Sequence, residues 1–517
     1  YAQEAFDLGE IVLSATAQPL EKKRTGSSIE TLGDDGSVGQ NGDVELTSPL
    51  QRLPGVAVQQ NGPAGTVANV AVRGIQERYT AVYVDGIKVN DPSSTSGQYA
   101  NFGGFILGGV KRVEVLKGSQ SALHGSSAVA GVINVYTLPD SEIDQGTRQA
   151  AEISFGSFGT ATASYGFTQR TGDLTMAFSL SHARSDGFSA GDESNGNTES
   201  DGFESTRISF GATLQATEAV RLGLSTFAVD GNSEFDEAGY SGLPVDGTVG
   251  DETRARRETG LRVFTEIDNG GIWLHEFSLS HFNIDRSEIS VTTGPSSYDP
   301  FTSTFEGERQ RVDWQSNVSV SERLRMSFGA DFEEVTSKSS SIPSGQAGTK
   351  NYGVFGEAVY SPAENLDVIG TLRYDDNSQF GNKTTGKLAV SYRPSEALTL
   401  RGAAATGFRA PVPSELYSEF PSSEYYGNPD LKPEESLSVE VGLDYEVNDA
   451  TRISATVFKN EIDNLVQYAP CPYTDPANND YSCQTGTFST VENTPGTSRY
   501  RGVEFSLHHS VSNRASM

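Results

Sequence analysis

The chain has 517 residues, 35% of them hydrophobic, with 68 Asp and Glu against 38 Lys and Arg and a formal net charge of -30. That balance excludes a nucleic-acid binder, which needs clustered cations to displace counterions from phosphate. No apolar run reaches the roughly eighteen residues of a membrane helix, but a transmembrane β-barrel passes this test because its strands alternate apolar and polar residues.

The chain opens Tyr-Ala-Gln-Glu, and Ala2 fits the last position of a small-residue signal cleavage site whose other parts are missing. Glu10, Ile11, Val12, Leu13, Ser14, Ala15, Thr16 and Ala17 then make a short β-prone run ahead of a charged linker at 21–24. About ten residues precede that run, too few for a further folded domain.

Residues 50–137 hold β-type runs at 53–58, 69–74, 81–86, 111–118 and 130–135, separated by Gly-rich breakers. Such punctuation predicts tight turns within a small mixed α+β domain. From 148 onward, segments of about nine to fifteen residues alternate with period two, about sixteen candidate strands in all. In one, Leu324, Met326, Phe328, Ala330 and Phe332 share a face; in another, Leu437, Val439, Val441, Leu443 and Tyr445 oppose Ser438, Glu440, Gly442 and Asp444. Connections alternate between short ones, as at 171–173, 217–218 and 321–322, and long ones, as at 185–203, 231–256, 287–304, 336–350, 409–434 and 468–497. Short turns on one side and long loops on the other describe a membrane barrel.

Six motifs stand in order within residues 53–135: Leu53-Pro54-Gly55-Val56, Val72-Arg73-Gly74, Val84-Asp85-Gly86, Val113-Glu114-Val115-Leu116-Lys117-Gly118, the Gly125-Ser126 turn and Gly131-Val132-Ile133-Asn134-Val135. Together they resemble the plug domain of TonB-dependent outer-membrane receptors. The resemblance implies an α+β plug domain inside a transmembrane antiparallel β-barrel: 1–30 TonB box and linker, 31–140 plug, 141–517 barrel. Plugged transporters have about 22 strands, so with about sixteen here the C-terminal strands are expected to be missing, an open barrel edge being strongly unfavourable in lipid.

The run from Glu10 to Thr16 resembles a TonB box, which pairs as an added strand with the periplasmic TonB protein; a disordered tail is the alternative. The resemblance also implies that Arg73, Arg112 and Glu114 seat the plug against the barrel wall. Of the plug segments, 59–66 and 90–102 are rich in amides, Ser, Gly and Pro, suiting a polar ligand. Gln60, Asn61, Pro63, Asn90, Tyr99 and Asn101 are the candidate contacts, unless these stretches are solvated turns.

Asp186, Asp192, Glu193, Glu199 and Asp201 crowd one long loop, and the next is reached through Asp230 and carries Glu234, Asp236 and Glu237. Carboxylates converging from neighbouring loops suit Ca²⁺, with Asp192, Glu193, Asp201 and Asp230 as candidate ligands. A solvated acidic surface is the other reading. Similar early acidic loops occur in cobalamin receptors, where calcium orders them. Cys471 and Cys483 share a polar segment that contains no His, so a loop disulfide is expected rather than a metal site.

Phe408-Arg409-Ala410-Pro411 and Asn428-Pro429-Asp430-Leu431 resemble a motif pair of haem receptors, but residues 412–427 contain no His to meet haem iron. No nucleophile sits near a His and a carboxylate in a recognisable motif, so neither an enzyme nor a redox cofactor is expected. The expected function is TonB-dependent uptake of a scarce small molecule across a Gram-negative outer membrane, in contact with its lipid. Cobalamin or a related corrinoid is the first choice and a ferric siderophore the second; a passive porin-like channel is the competing class.

Overall fold

The computed structural model describes residues 10–512, apart from 34–37, 39–41, 96, 139–144, 191–198, 236–251, 294–297, 421–424, 449 and 471–488, together with 515–516. Its inner unit is built on a five-stranded sheet in the order Ile29–Leu32, Arg112–Lys117, Gly131–Tyr136, Thr80–Val84, Ile87–Lys88. Only Thr80–Val84 and Gly131–Tyr136 run parallel. A separate hairpin, Val56–Gln60 with Ala68–Val72, and the short helices Thr47–Gln51 and Ser121–His124 complete the plug.

Gly131–Tyr136 is mostly apolar because it is covered on both faces, its first five residues, Asn134 included, all being buried. Val113, Val115, Ile133 and Val135 pack with Leu46, Leu50 and Val82, and this core continues into Phe227 and Phe282 of the surrounding wall. The Val72-Arg73-Gly74 and Val84-Asp85-Gly86 turns place Arg73 at φ 55° and Asp85 at φ 48°, in the left-handed region. Asp85 fixes its turn by accepting the Thr137 N–H at 2.8 Å and the Thr137 hydroxyl at 2.5 Å.

The outer unit is a seventeen-stranded antiparallel sheet that runs in chain order from Gly146–Phe155, its last member being the two-residue Ala515–Ser516 folded back on Thr497–Ser512. Among the described residues, Gly146–Phe155 and Thr497–Ser512 do not pair with each other. Leu437, Val439, Val441, Leu443 and Tyr445 are exposed on the outer surface, whereas Ser438 and Glu440 between them are buried inward. Apolar outside and polar inside is the arrangement that lipid stabilises.

Several strands outrun their alternating segments. Trp273–Thr293 and Tyr298–Ser321, of 21 and 24 residues, absorb most of the loop expected at 287–304. Leu324–Ser339 and Gln346–Ala363 likewise shorten the one expected at 336–350. Backbone pairing continues through these extensions, because ladder hydrogen bonds form between main chains whatever the side-chain pattern. Above the rim, Glu419–Phe420, Tyr425–Tyr426, Ser489–Asn493 and Val466–Pro470 form a small separate sheet.

Candidate functional site

At the short-turn end of the barrel the N-terminal segment is folded back on itself. Ile11–Val12 pairs antiparallel with Leu20–Glu21. Apolar Val12 and Ala15 are buried against the plug with Ile29, Leu116 and Val132. Glu114, on the plug strand Arg112–Lys117, accepts the N–H groups of Leu13 and Ser14, each at 3.1 Å, and the Ser14 hydroxyl. Burial pushes the Glu114 carboxyl above its ordinary range, against the pull of the Ser14 hydroxyl and Arg112.

Arg112 pairs with Glu114 at 3.0 Å and donates to the Ile11 carbonyl. Glu10 pairs with Lys22 at 3.0 Å. Burial raises the Glu10 pKa, but Lys22 and the Thr31 hydroxyl outweigh it and leave a net lowering. The His124 ring Nε2 lies 3.1 Å from the Ser14 carbonyl oxygen, and burial pushes the imidazole down to about 4, so it is neutral at pH 7. From the wall, Glu357 accepts the Ala17 N–H at 2.8 Å and Gln315 donates to its carbonyl at 2.5 Å.

The expectation for plug seating is therefore corrected in part. Arg112 and Glu114 hold the N-terminal segment, because their side chains share the face of Arg112–Lys117 that this segment covers. Arg73 does reach the wall, binding Glu440 at 2.6 Å and Glu504 at 3.0 Å with its guanidinium 4.4 Å from the Phe458 ring centroid. Burial alone would lower the Arg73 pKa, but the two carboxylates raise it above its ordinary value. Lys117, not singled out from the sequence, joins them by pairing with Glu504 at 3.4 Å and Glu30 at 3.1 Å.

The opposite end presents the plug turns toward the long loops, where the Ser205 hydroxyl donates to the Gly104 carbonyl at 3.0 Å. Here most of the expected ligand contacts are committed to the plug itself. Asn90 is fully buried, accepting the Val82 N–H at 2.8 Å and donating to the Thr80 carbonyl at 2.9 Å. Asn101 Oδ1 accepts the N–H groups of Ala68 and Gly103, each at 2.9 Å. Gln60 donates to Glu45 at 3.1 Å and to the carbonyl of Pro63, itself buried, at 3.0 Å.

Asn61 is exposed and Tyr99 half-buried, which leaves these two as side chains able to meet a ligand. Buried Glu45 was not anticipated. It gathers the N–H groups of Gly65 at 2.9 Å and Gly104 at 2.5 Å, joining two apical turns distant in sequence. No motif surrounds it that could have revealed this.

Arg409, noted only for its place in a haem-receptor motif, is buried and forks onto Glu415 at 2.8 and 3.1 Å while pairing with Glu434. Glu434 also accepts the Tyr79 hydroxyl of the plug at 2.7 Å, so the outer wall and plug share one polar network.

Asp192, Glu193, Cys471 and Cys483 lie outside the described residues. Asp201 accepts the Ala190 N–H at 2.5 Å, and Asp230 pairs with Arg257 at 3.0 Å. Among the described residues no three His, Cys, Asp or Glu side chains gather as a metal-binding group.

Comparison with known proteins agrees with this architecture. The model of the TonB-dependent receptor plug domain matches residues 21–132, and that of the TonB-dependent receptor-like β-barrel matches residues 146–515. A vitamin B12 transporter BtuB from Photobacterium profundum is 27% identical over 483 residues, covering 92% of this chain and 73% of the relative. BtuB of Vibrio vulnificus is 27% identical over 429 residues, covering 81% of this chain and 65% of its own length.

Among solved structures, the siderophore receptor PirA of Acinetobacter baumannii superposes with a TM-score of 0.74 at 19% identity, covering 95% of this chain and 79% of its own. The ferric enterobactin receptor PfeA of Pseudomonas aeruginosa gives 0.75 at 16% identity, covering 94% and 79%. These last likenesses concern the fold. With both the plug and barrel models matched, the second across more than half its length, the chain belongs to the family of TonB-dependent receptors, transport proteins rather than enzymes.

Proposed function

We propose that the chain carries a corrinoid, cobalamin or a close relative, across the outer membrane of a Gram-negative cell, driven by the periplasmic TonB protein. For the driven step, the observation that carries the reading is the β-prone segment 10–17 docked on plug residue Glu114 at the short-turn end of the barrel. A strand in that place suits capture by strand addition, and its link to the plug sheet gives an applied pull a route into the lumen. A passive channel has no use for either feature.

For the ligand, support comes from 27% identity to vitamin B12 transporters along both plug and barrel. Deleting residues 10–17 is expected to abolish uptake while sparing ligand binding, and unchanged uptake would overturn the driven reading. Titrating the purified protein with cyanocobalamin, with and without Ca²⁺, tests the ligand. Failure in both conditions together with binding of a ferric siderophore would replace the corrinoid.

A further inference from the structure

The wall strand Asp201–Thr217 alternates exposed Glu204 and Ile208 with buried Ser205, Arg207 and Ser209, so Arg207 belongs to its inward face. The residue is only 3% exposed. Its guanidinium lies against two rings, 4.6 Å from the Phe105 centroid on the plug and 4.9 Å from the Phe227 centroid on the wall. Aromatic rings offset part of the charge but offer no lone pair to the N–H donors. Nε and Nη2, the pair that grips an acceptor side-on, meet no hydrogen-bond partner among the described residues.

Arg207 borders a cavity of about 20 Å³ between plug and wall. Three arginines and two carboxylates line it: Arg207, Arg256, Arg286, Asp91 and Glu258. Two of the arginines are already matched, Arg256 with Glu258 at 2.9 Å and Arg286 with Asp91 at 3.3 Å. Asp85 is the other carboxylate whose field reaches Arg207, but its oxygens are taken by Thr137 and Leu138 and it is not on the cavity wall. One cation is left over.

An arginine does not shed its charge by losing a proton, and a buried charge without a partner is strongly unfavourable. A water molecule would satisfy the donors without supplying the opposite charge. A small anion does both. The volume sets its size, since about 20 Å³ admits one water-sized species and excludes sulfate, phosphate and organic carboxylates.

We infer that the cavity is a site for one monovalent, halide-sized anion, chloride in a saline medium, held by the Nε and Nη2 donors of Arg207. The anion fastens plug to wall, because Tyr99 and Phe105 of the plug border the same space as Arg207. It lies beside the apolar contact of Phe227 and Phe282 with the plug core, a face of the plug that has no direct ion pair like that of Arg73 with Glu440 at Arg207.

The test follows opening of the plug in the full chain in detergent, as the rate of protease cleavage in urea at fixed ionic strength with sodium as the cation. A site half-filled near about 30 mM slows cleavage about tenfold in about 300 mM chloride or bromide relative to sulfate, which is too large to enter. General salt effects run the other way, because sulfate is the stronger stabiliser of folded chains. Arg207→Met, an uncharged side chain of similar reach, is expected to abolish the halide difference and to match the native chain in sulfate within about twofold. Independently of that variant, bromide soaked into crystals of the native chain should give an anomalous peak within hydrogen-bond reach of the Arg207 guanidinium. A native chain indifferent to halide, a halide effect that survives in Arg207→Met, or crystals without that peak would each overturn the site.

Discussion

Ser14 and Glu114 are separated by 100 positions in the chain, yet the Ser14 N–H and hydroxyl both donate to the same Glu114 oxygen, the N–H at 3.1 Å. With Leu13 as a further donor, one buried carboxylate organises the backbone of the N-terminal segment. Hydrogen bonds to a charged group contribute about 1.5–3 kcal/mol each. Glu114→Ala is therefore expected to speed hydrogen exchange at the Leu13 and Ser14 amides at least about tenfold. Glu114→Gln, which keeps one acceptor, should fall between; exchange rates unmoved in both variants would refute the docking role.

Acidification is expected to release the same segment through Glu10 and His124, with Glu114, whose carboxyl burial raises, acting in the opposite direction. The docked Glu10 pKa lies below its ordinary 4.5, so its pairing with Lys22 stabilises docking above that value and is lost as pH falls through the docked value. His124 is lowered from 6.5 to about 4 by burial, reinforced by nearby Lys387, Arg311 and Lys88, so docking favours the neutral ring. Its contribution is full above 6.5 and declines toward about pH 4 as the undocked ring takes up a proton. A nitroxide at Leu13→Cys, in a chain with Cys471 and Cys483 replaced by Ser, should become more mobile from pH 7 to pH 4.5. Tightening over that range would contradict the assignment.

Removing Arg73 leaves Glu440 and Glu504 without their main cation at a site where its side chain is fully buried. Breaking a buried pair costs about 3–5 kcal/mol. Arg73→Ala is expected to expose the plug to proteolysis at lower urea. Arg73→Gly should be the milder change by about 1 kcal/mol, since φ at this position is 55°. Equal effects of Ala and Gly would show that backbone strain plays no part.

Asn61 and Asn90 should separate binding from stability. Asn90→Ala strips a buried N–H and a buried carbonyl of their partner, at about 2 kcal/mol or more. A lower melting temperature with unchanged ligand affinity is expected. Asn61→Ala, on an exposed turn, should do the reverse.

Calcium binding by the acidic loops is a proposal carried by Asp192, Glu193, Asp201 and Asp230. Calorimetric titration of the native chain with CaCl₂ should saturate, and the double variant Asp192→Asn, Glu193→Gln should lose most of the heat. A native chain without saturable heat removes calcium from the account.

The plug was legible because its turns restrict residue type. Asp85 at φ 48° followed by Gly86 at φ 80° is a conformation few residues adopt, so the Val84-Asp85-Gly86 turn announces itself. The barrel was legible where lipid imposes alternation, as along Leu437 to Tyr445. It was not legible in the first residues of Tyr298–Ser321, at 298–304, where backbone pairing extends a strand expected from about 306.

Amide composition marked 90–102 as polar without saying which way the amides point, and Asn90 and Asn101 turned out to serve the plug backbone. Glu434 illustrates the harder case. It meets Tyr79 across 355 positions, a pairing that only the closed fold creates.

The two-residue pairing of Ile11–Val12 with Leu20–Glu21 sets an equilibrium condition on any partner that adds a strand there. The edge is already occupied, so a partner competes with the chain's own residues, and its apparent dissociation constant is the intrinsic one divided by the fraction of molecules in the open form. Glu10, Arg112, Glu114 and His124 fix that fraction, tenfold for each 1.4 kcal/mol. A ligand that shifted Glu114 by repacking the plug would thereby raise the partner's occupancy without altering a single contact the partner makes.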